Sequence, residues 1–258
     1  MSETININGA SAAGQQISAA RETESPGSRL SLDDAPAKQS PRVAVVKQPR
    51  RADPYASLLW RLEARQTGDA PGPATLGLIG SEPRTGVTTL IANLAVRAAQ
   101  LQLGPVLLVE ANWQGPRLGK MWRLPRGPGL AELIAGKASF AECLRTGPTP
   151  DLNVLPAGAI RRREWPVLDS ASVNALLAEA GADHNLILFD LPAAEHLHQT
   201  LLVAKRLDQV LLVVRAESTR QRDAQKVADR LLDDGVPLSG AVLNRQRTYV
   251  PRWLQRWL

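Results

Sequence analysis

The chain of 258 residues has one cysteine, Cys143. That excludes a disulfide framework and any metal site built on cysteines, and it fits a reducing compartment. The three histidines, His184, His196 and His198, fall at no convincing metal-site spacing and read as surface or helix residues. No apolar run is long enough to span a bilayer. The first twenty residues lack the apolar core expected of a secretory leader. Acidic residues are in deficit: 31 Lys and Arg against 25 Asp and Glu give a formal charge of +6. The excess points to an acidic partner, with lipid headgroups, nucleic acid and acidic protein all qualifying. Apolar residues make up 44% of the chain, an ordinary globular value, and no internal repeat is present. The length is enough for one sizeable α/β domain with tails.

Residues 1–52 are rich in Ser, Ala, Gly, Gln and Pro without sustained periodicity, and are expected to be disordered, with Val43–Val46 as a short apolar patch. Within 53–66, Tyr55, Leu58, Leu59 and Leu62 follow Asp53-Pro54 at helical spacing. They predict an amphipathic helix that packs on the domain or contacts another subunit. Residues 67–73 read as a linker. From residue 74 to 245 apolar strand-type runs (75–79, 105–109, 152–155, 186–189, 210–214, 240–243) alternate with helix-type runs (88–102, 129–135, 167–180, 195–207, 219–233). Such alternation predicts an α/β fold of three layers: a mostly parallel sheet with helices on both faces. The runs are apolar throughout, as strands are when both sheet faces are covered.

The first strand-type run feeds Ser81-Glu82-Pro83-Arg84-Thr85-Gly86-Val87-Thr88-Thr89 and then a helix. Strand, tight loop and helix are the setting in which backbone N–H groups and a helix N-terminus meet a phosphate. The nucleotide-binding pattern is Gly, four residues, Gly, Lys, then Ser or Thr. Here the first Gly is Ser81 and the lysine is Val87, while Gly86 and Thr88 are kept. Ligands of open parallel sheets bind at the carboxyl ends of the strands, which singles out the polar residues there. Thr88 and Asp190 suit Mg²⁺, Glu110 suits a base or metal carboxylate, and the amide of Asn244 suits an adenine edge. The nucleotide-binding set is therefore Ser81, Pro83, Arg84, Thr85, Gly86, Val87, Thr88, Thr89 and Asn244; the catalytic candidates are Glu110 and Asp190.

With these motifs on the page, the chain resembles the cytoplasmic tyrosine kinases of bacterial capsule and exopolysaccharide synthesis. They lie within the deviant P-loop NTPase class that also holds Min- and Par-type ATPases. The loop with its Asn93-Leu94-Ala95 continuation, Val106–Asn112, Gly129–Gly136, Leu155-Pro156-Ala157-Gly158, Asp190-Leu191-Pro192 and Val242–Arg245 carry the likeness, which covers about residues 53 to 245. It implies ATP or ADP with Mg²⁺ as ligand and a cytoplasmic place at the inner face of the cell membrane. It also implies a membrane-embedded polysaccharide co-polymerase or export protein as partner, and leaves a homo-oligomer open.

The departures matter as much. The family's catalytic lysine is Val87, the glycine before it is Arg84, and the paired aspartates of its second Walker motif are Glu110 and Asn112. The C-terminal tyrosine cluster is missing, and Tyr249 stands alone. Losing one charged hydrogen bond costs roughly 1.5–3 kcal/mol, so a regulatory pseudo-enzyme is expected. The alternatives are an active protein-tyrosine kinase or ATPase of the same pathway and a Min/Par-type positioning ATPase. Arg84 reads as solvent-facing rather than as a replacement cation. In the tail, 246–258, a helix from Pro251 would set Trp253 and Trp257 beside Arg252 and Arg256, the pattern of an anchor to an anionic membrane or a membrane protein. Nucleic acid is disfavoured, since the arginines form no long stripe.

Overall fold

In the computed structural model the alternating runs build a nine-stranded sheet covered by helices on both faces. Residues 3–6, 44–46, 53–63, 72–113, 115–159, 169–194 and 197–246 are described. The strands are β1 (Glu3–Asn6), β2 (Ala44–Val46), β3 (Ala74–Gly80), β4 (Val106–Glu110), β5 (Arg145–Thr146), β6 (Leu152–Leu155), β7 (Leu186–Asp190), β8 (Gln209–Arg215) and β9 (Leu238–Asn244). The helices are α1 (Pro54–Glu63), α2 (Val87–Gln100), α3 (Leu118–Met121), α4 (Leu130–Ile134), α5 (Phe140–Cys143), α6 (Ser170–Gly181), α7 (Leu197–Ala204) and α8 (Gln221–Asp233). The sheet order is β2-β1-β9-β8-β3-β7-β4-β6-β5, and the run from β9 to β6 is parallel throughout.

Period-two geometry sends successive side chains of each strand to opposite faces. Leu107 and Val109 of β4, Ile187 and Phe189 of β7, and Val210, Leu212 and Val214 of β8 join one core, closed by α4 to α8. Val106 and Leu108, Leu188, and Leu211 and Val213 join the other, closed by α1, α2 and α3. Two covered faces account for strands with no polar alternation.

Helix α1 packs on α2 through Leu58 and Leu59, both buried, as the domain-packing reading expects. Asp53 caps it, accepting from the N–H groups of Tyr55 (3.0 Å) and Ala56 (3.3 Å), and pairs with Arg97 of α2. Burial opposes ionisation of Asp53, but the Ala56 and Tyr55 N–H groups and the Arg97 guanidinium outweigh it and hold its pKa below the ordinary value.

Three expectations change. Strands β1 and β2 lie inside the stretch read as disordered. β1 pairs antiparallel with β9 (Ile5 opposite Ala241) and β2 with β1 (Ile5 opposite Val45). The open backbone edge of β9 is a template for pairing, and the Val-rich segment at 43–46 is suited to extended structure. His184, read as a surface or helix residue, is buried beyond the end of α6. Its Nδ1 meets the Ala180 carbonyl at 2.8 Å and its Nε2 the Asn153 amide at 3.0 Å. The short elements α3, α5 and β5 were not expected. Residues 64–71, which include most of the linker read at 67–73, and the tail residues Tyr249, Arg252, Trp253, Arg256 and Trp257 lie outside the described residues, as does His196.

Candidate phosphate-binding site

Strand β3 runs between β8 and β7, and its successor β4 lies beyond β7. The chain therefore leaves β3 where the order of strands diverges, the place at which such sheets form a crevice. The Ser81 N–H donates to the Val213 carbonyl of β8 (2.9 Å), pinning the start of the loop. Gly80 must lack a side chain, because a Cβ there would collide with the Thr85 hydroxyl. Gly86 ends the loop at φ 96° as the N-cap of α2, and offers no side-chain cap. Residues 81 and 83–89 thus form the loop and helix start expected, with the first N–H groups of α2 lacking partners within the helix. These donors and the helix dipole favour an anion.

An open cavity of ≈ 240 Å³ lies against this loop. Residues 82–89 line it together with Asn112, Arg117 and Arg245. Val87 lines it too, yet is only 8% exposed and packs into the α2 core, so the position of the lysine contributes an apolar wall. Arg84 is exposed, as its solvent-facing reading expects, and also lines the open cavity, with a left-handed backbone at φ 67°. The Glu82 carboxylate, also on the rim, accepts from the Thr219 hydroxyl at 2.7 Å.

Asn244 is partly engaged: its Nδ2 donates to the Thr85 carbonyl and its Oδ1 accepts from the Arg245 N–H, each at 2.9 Å. The amide expected to read an adenine edge thus also ties the end of β9 to the loop, and keeps one N–H and one lone pair.

Glu110, expected to be a base or metal carboxylate, has a different task. It is buried, with Oε1 accepting from the N–H groups of Arg117 and of Leu118 (2.7 Å) and Oε2 from that of Ala157 (3.2 Å). One carboxylate therefore caps α3 and ties down the Leu155–Gly158 segment. That segment is in turn joined to α4 by Leu130 N–H to Pro156 carbonyl (2.8 Å) and Ala131 N–H to Ala157 carbonyl (3.0 Å). With these three N–H groups on its two oxygens, Glu110 organises the wall of the cavity.

Asp190 ends β7 opposite Glu110 in the parallel register. It is fully buried, and among the described residues neither carboxylate oxygen has a hydrogen-bond partner. Burial pushes its pKa up from 3.8 to about 7; the nearby Thr88 hydroxyl opposes the rise, the Glu110 charge adds to it, and the Arg117 guanidinium opposes it. Two orphaned carboxylate oxygens beside the hydroxyl of Thr88 fit the hard-oxygen preference of Mg²⁺, which keeps most of its waters and takes one or two protein ligands. Thr88 and Asp190 are the residues that would hold it; what Mg²⁺ supplies when bound is neutralisation of phosphate charge.

Sequence reasoning missed Arg117 and gave Arg245 no part in the nucleotide site. The second carried a signal: it follows Asn244 at a strand's carboxyl end. The first sits in a connection with no periodicity.

Comparison with known proteins bears on this site. No family model matches the chain. Tyrosine-protein kinase YwqD of Bacillus subtilis is 28% identical over 165 residues, 64% of this chain and 69% of that protein. Tyrosine-protein kinase wzc of Salmonella typhimurium is 24% identical over 169 residues, 66% of this chain, and the chain spans only 23% of that protein's length. Among solved structures, the kinase domain of the Escherichia coli tyrosine kinase ETK superposes with a TM-score of 0.65 at 21% identity, covering 76% of this chain and 78% of that one. The septum site-determining protein MinD of Pyrococcus horikoshii, complexed with Mg-ADP, superposes with a TM-score of 0.58 at 21% identity, covering 71% and 76%.

Proposed function

The chain being a homologue of bacterial tyrosine-protein kinases with a P-loop NTPase fold, we propose that it is a degenerate member that keeps a phosphate pocket without efficient phosphoryl transfer. The carrying observation is Val87, an apolar, packed side chain where the pattern places the lysine that stabilises charge on the transferring phosphoryl group. Glu110 reinforces it, since its oxygens are committed to backbone donors. The loop, the start of α2, Thr88 and Asp190 support binding of ATP or ADP with Mg²⁺ as a conformational ligand. The pocket then acts as a two-state element whose occupancy changes the surface offered to a partner.

The resemblance in sequence supports a place in capsule or exopolysaccharide synthesis and export, as regulator of a membrane-embedded co-polymerase or export protein at the cytoplasmic face. Among the described residues no helix is long and apolar enough to cross a membrane. The basic tryptophan-bearing tail at 246–258 supplies the contact to that partner or to anionic lipid. Truncation after Arg247 is expected to abolish co-sedimentation with vesicles containing phosphatidylserine; unchanged co-sedimentation removes the lipid contact.

Titration calorimetry with ATP and ADP, with and without Mg²⁺, tests the pocket. Saturable binding of both nucleotides is the expected result. No heat with either nucleotide would leave the loop a relic of the fold and refute the reading.

A further inference from the structure

Three arginines from separate parts of the chain meet at the cavity: Arg84 in the loop, Arg117 ahead of α3 and Arg245 after β9. Among the described residues no hydrogen bond or ion pair engages their guanidinium groups. Arginines that serve the fold behave differently. Arg145 donates to the carbonyls of Pro125, Pro128, Glu142 and Leu144, and Arg97 pairs with Asp53. A guanidinium carries five donors in a planar fork matched to phosphate oxygens, so three uncommitted ones around one concave surface form a polyanion receptor.

Arg245 is the member that reaches the helix. Its Nε lies 3.4 Å from the point where a Cβ on Gly86 would stand, beside the N-terminus of α2 and one residue from Val87. Its placement is built. Asn244 accepts from the Arg245 N–H and donates to the Thr85 carbonyl, so one carboxamide fastens the arginine's backbone to the loop it overhangs. Both Arg245 (φ 60°) and Arg84 (φ 67°) hold left-handed backbone, a conformation unfavourable for a residue with a side chain. Strain of this kind gathers where function over-determines geometry, and here it falls at two residues facing the same space.

We propose that Arg245, beside the start of α2, takes over the phosphate-gripping charge that Val87 lacks, with Asn244 as its positioning residue and with Arg84 and Arg117 completing the clamp. The ligand class is the di- or triphosphate group of a nucleotide. The proposal rests on the reading of this cavity as a nucleotide pocket, and adds that the grip comes from arginine and needs no divalent ion. Arg245 is exposed and Asn244 only partly buried, so their substitution spares both cores.

The test uses the full chain, with inorganic pyrophosphate and ADP titrated by calorimetry in EDTA. Wild-type protein is expected to bind both. Arg245→Gln is expected to weaken pyrophosphate binding by at least about tenfold, the usual effect of one charged hydrogen bond. The same change should flatten the dependence of affinity on ionic strength. Arg245→Lys should restore part of the loss, and Asn244→Ala should weaken binding with no change in the protein's charge. Arg222→Gln, on the exposed face of α8, is expected to leave binding untouched. Thermal melts establish that each variant is folded; should Arg245→Gln fail to fold, Arg84→Gln and Arg117→Gln carry the same expectation. If ADP binds and Arg245→Gln matches wild type within twofold, the arginine grip is wrong and the nucleotide reading survives. If wild type binds neither pyrophosphate nor ADP, with or without Mg²⁺, both fall together.

Discussion

Replacing Asp190 by asparagine, which keeps the shape and removes the charge, is expected to gain stability relative to wild type as pH rises. The carboxyl ionises at 3.8 in its ordinary setting and at about 7 in the fold, where burial is the main cause. Between those values the folded state holds a proton that the unfolded state has lost. The stability this confers is complete below 3.8 and gone above about 7, so stability falls as pH rises. The gap corresponds to about 4 kcal/mol in all, of which about 3 kcal/mol falls between pH 5 and pH 8. The Asp190→Asn side chain does not titrate and has no such dependence, although its added N–H donors cost about 1–3 kcal/mol if left unpaired. That cost does not vary with pH, so the informative quantity is the change in the difference between variant and wild type. For a domain of this size 1 kcal/mol moves the melting temperature by roughly 2–4 °C. The variant's melting temperature, relative to wild type, should therefore climb by roughly 6–12 °C from pH 5 to pH 8 in metal-free buffer, by differential scanning calorimetry. A difference that stays constant across that range, or shrinks, refutes the buried and unpaired carboxylate. Millimolar Mg²⁺ should raise the melting temperature of wild type and leave Asp190→Asn unmoved.

Glu110→Gln keeps one acceptor oxygen and turns an amide donor toward backbone donors, so urea unfolding should show a loss of about 2–5 kcal/mol; unchanged stability would return Glu110 to the list of chemical groups. Arg84→Gly relieves the left-handed backbone and should raise stability by up to about 1 kcal/mol while weakening pyrophosphate binding. A variant that gains nothing in melting temperature would show that the loop carries no strain there.

The parallel sheet is legible in the chain because its strands are buried on two faces and separated by helices, which leaves an unbroken apolar signature at each strand. The crevice follows from the rule that ligands sit at strand ends, and Ser81–Thr89, Thr88 and Asp190 fall where that rule places them. What cannot be read is contact with backbone. Glu110 owes its role to N–H groups of residues 7, 8 and 47 positions away, and nothing in a side-chain pattern encodes such partners. The ties of Asn244 to Thr85 and Arg245 are hidden for the same reason. Arg117 lies in a connection, where charge has no period to betray it. Helices of four residues, such as α3 and α5, span barely one turn and show no repeat. Strands β1 and β2 gain their meaning only from the edge of β9.

The most direct measurement of the central claim is turnover at saturating nucleotide. The purified chain is incubated with ATP and Mg²⁺, and phosphate release and phosphotyrosine on Tyr55 and Tyr249 are followed. The account predicts nucleotide binding with neither hydrolysis nor phosphotyrosine above that of the Asp190→Asn variant. Turnover in wild type that disappears in Asp190→Asn would contradict it, and would make Arg245 part of an engine rather than of a clamp.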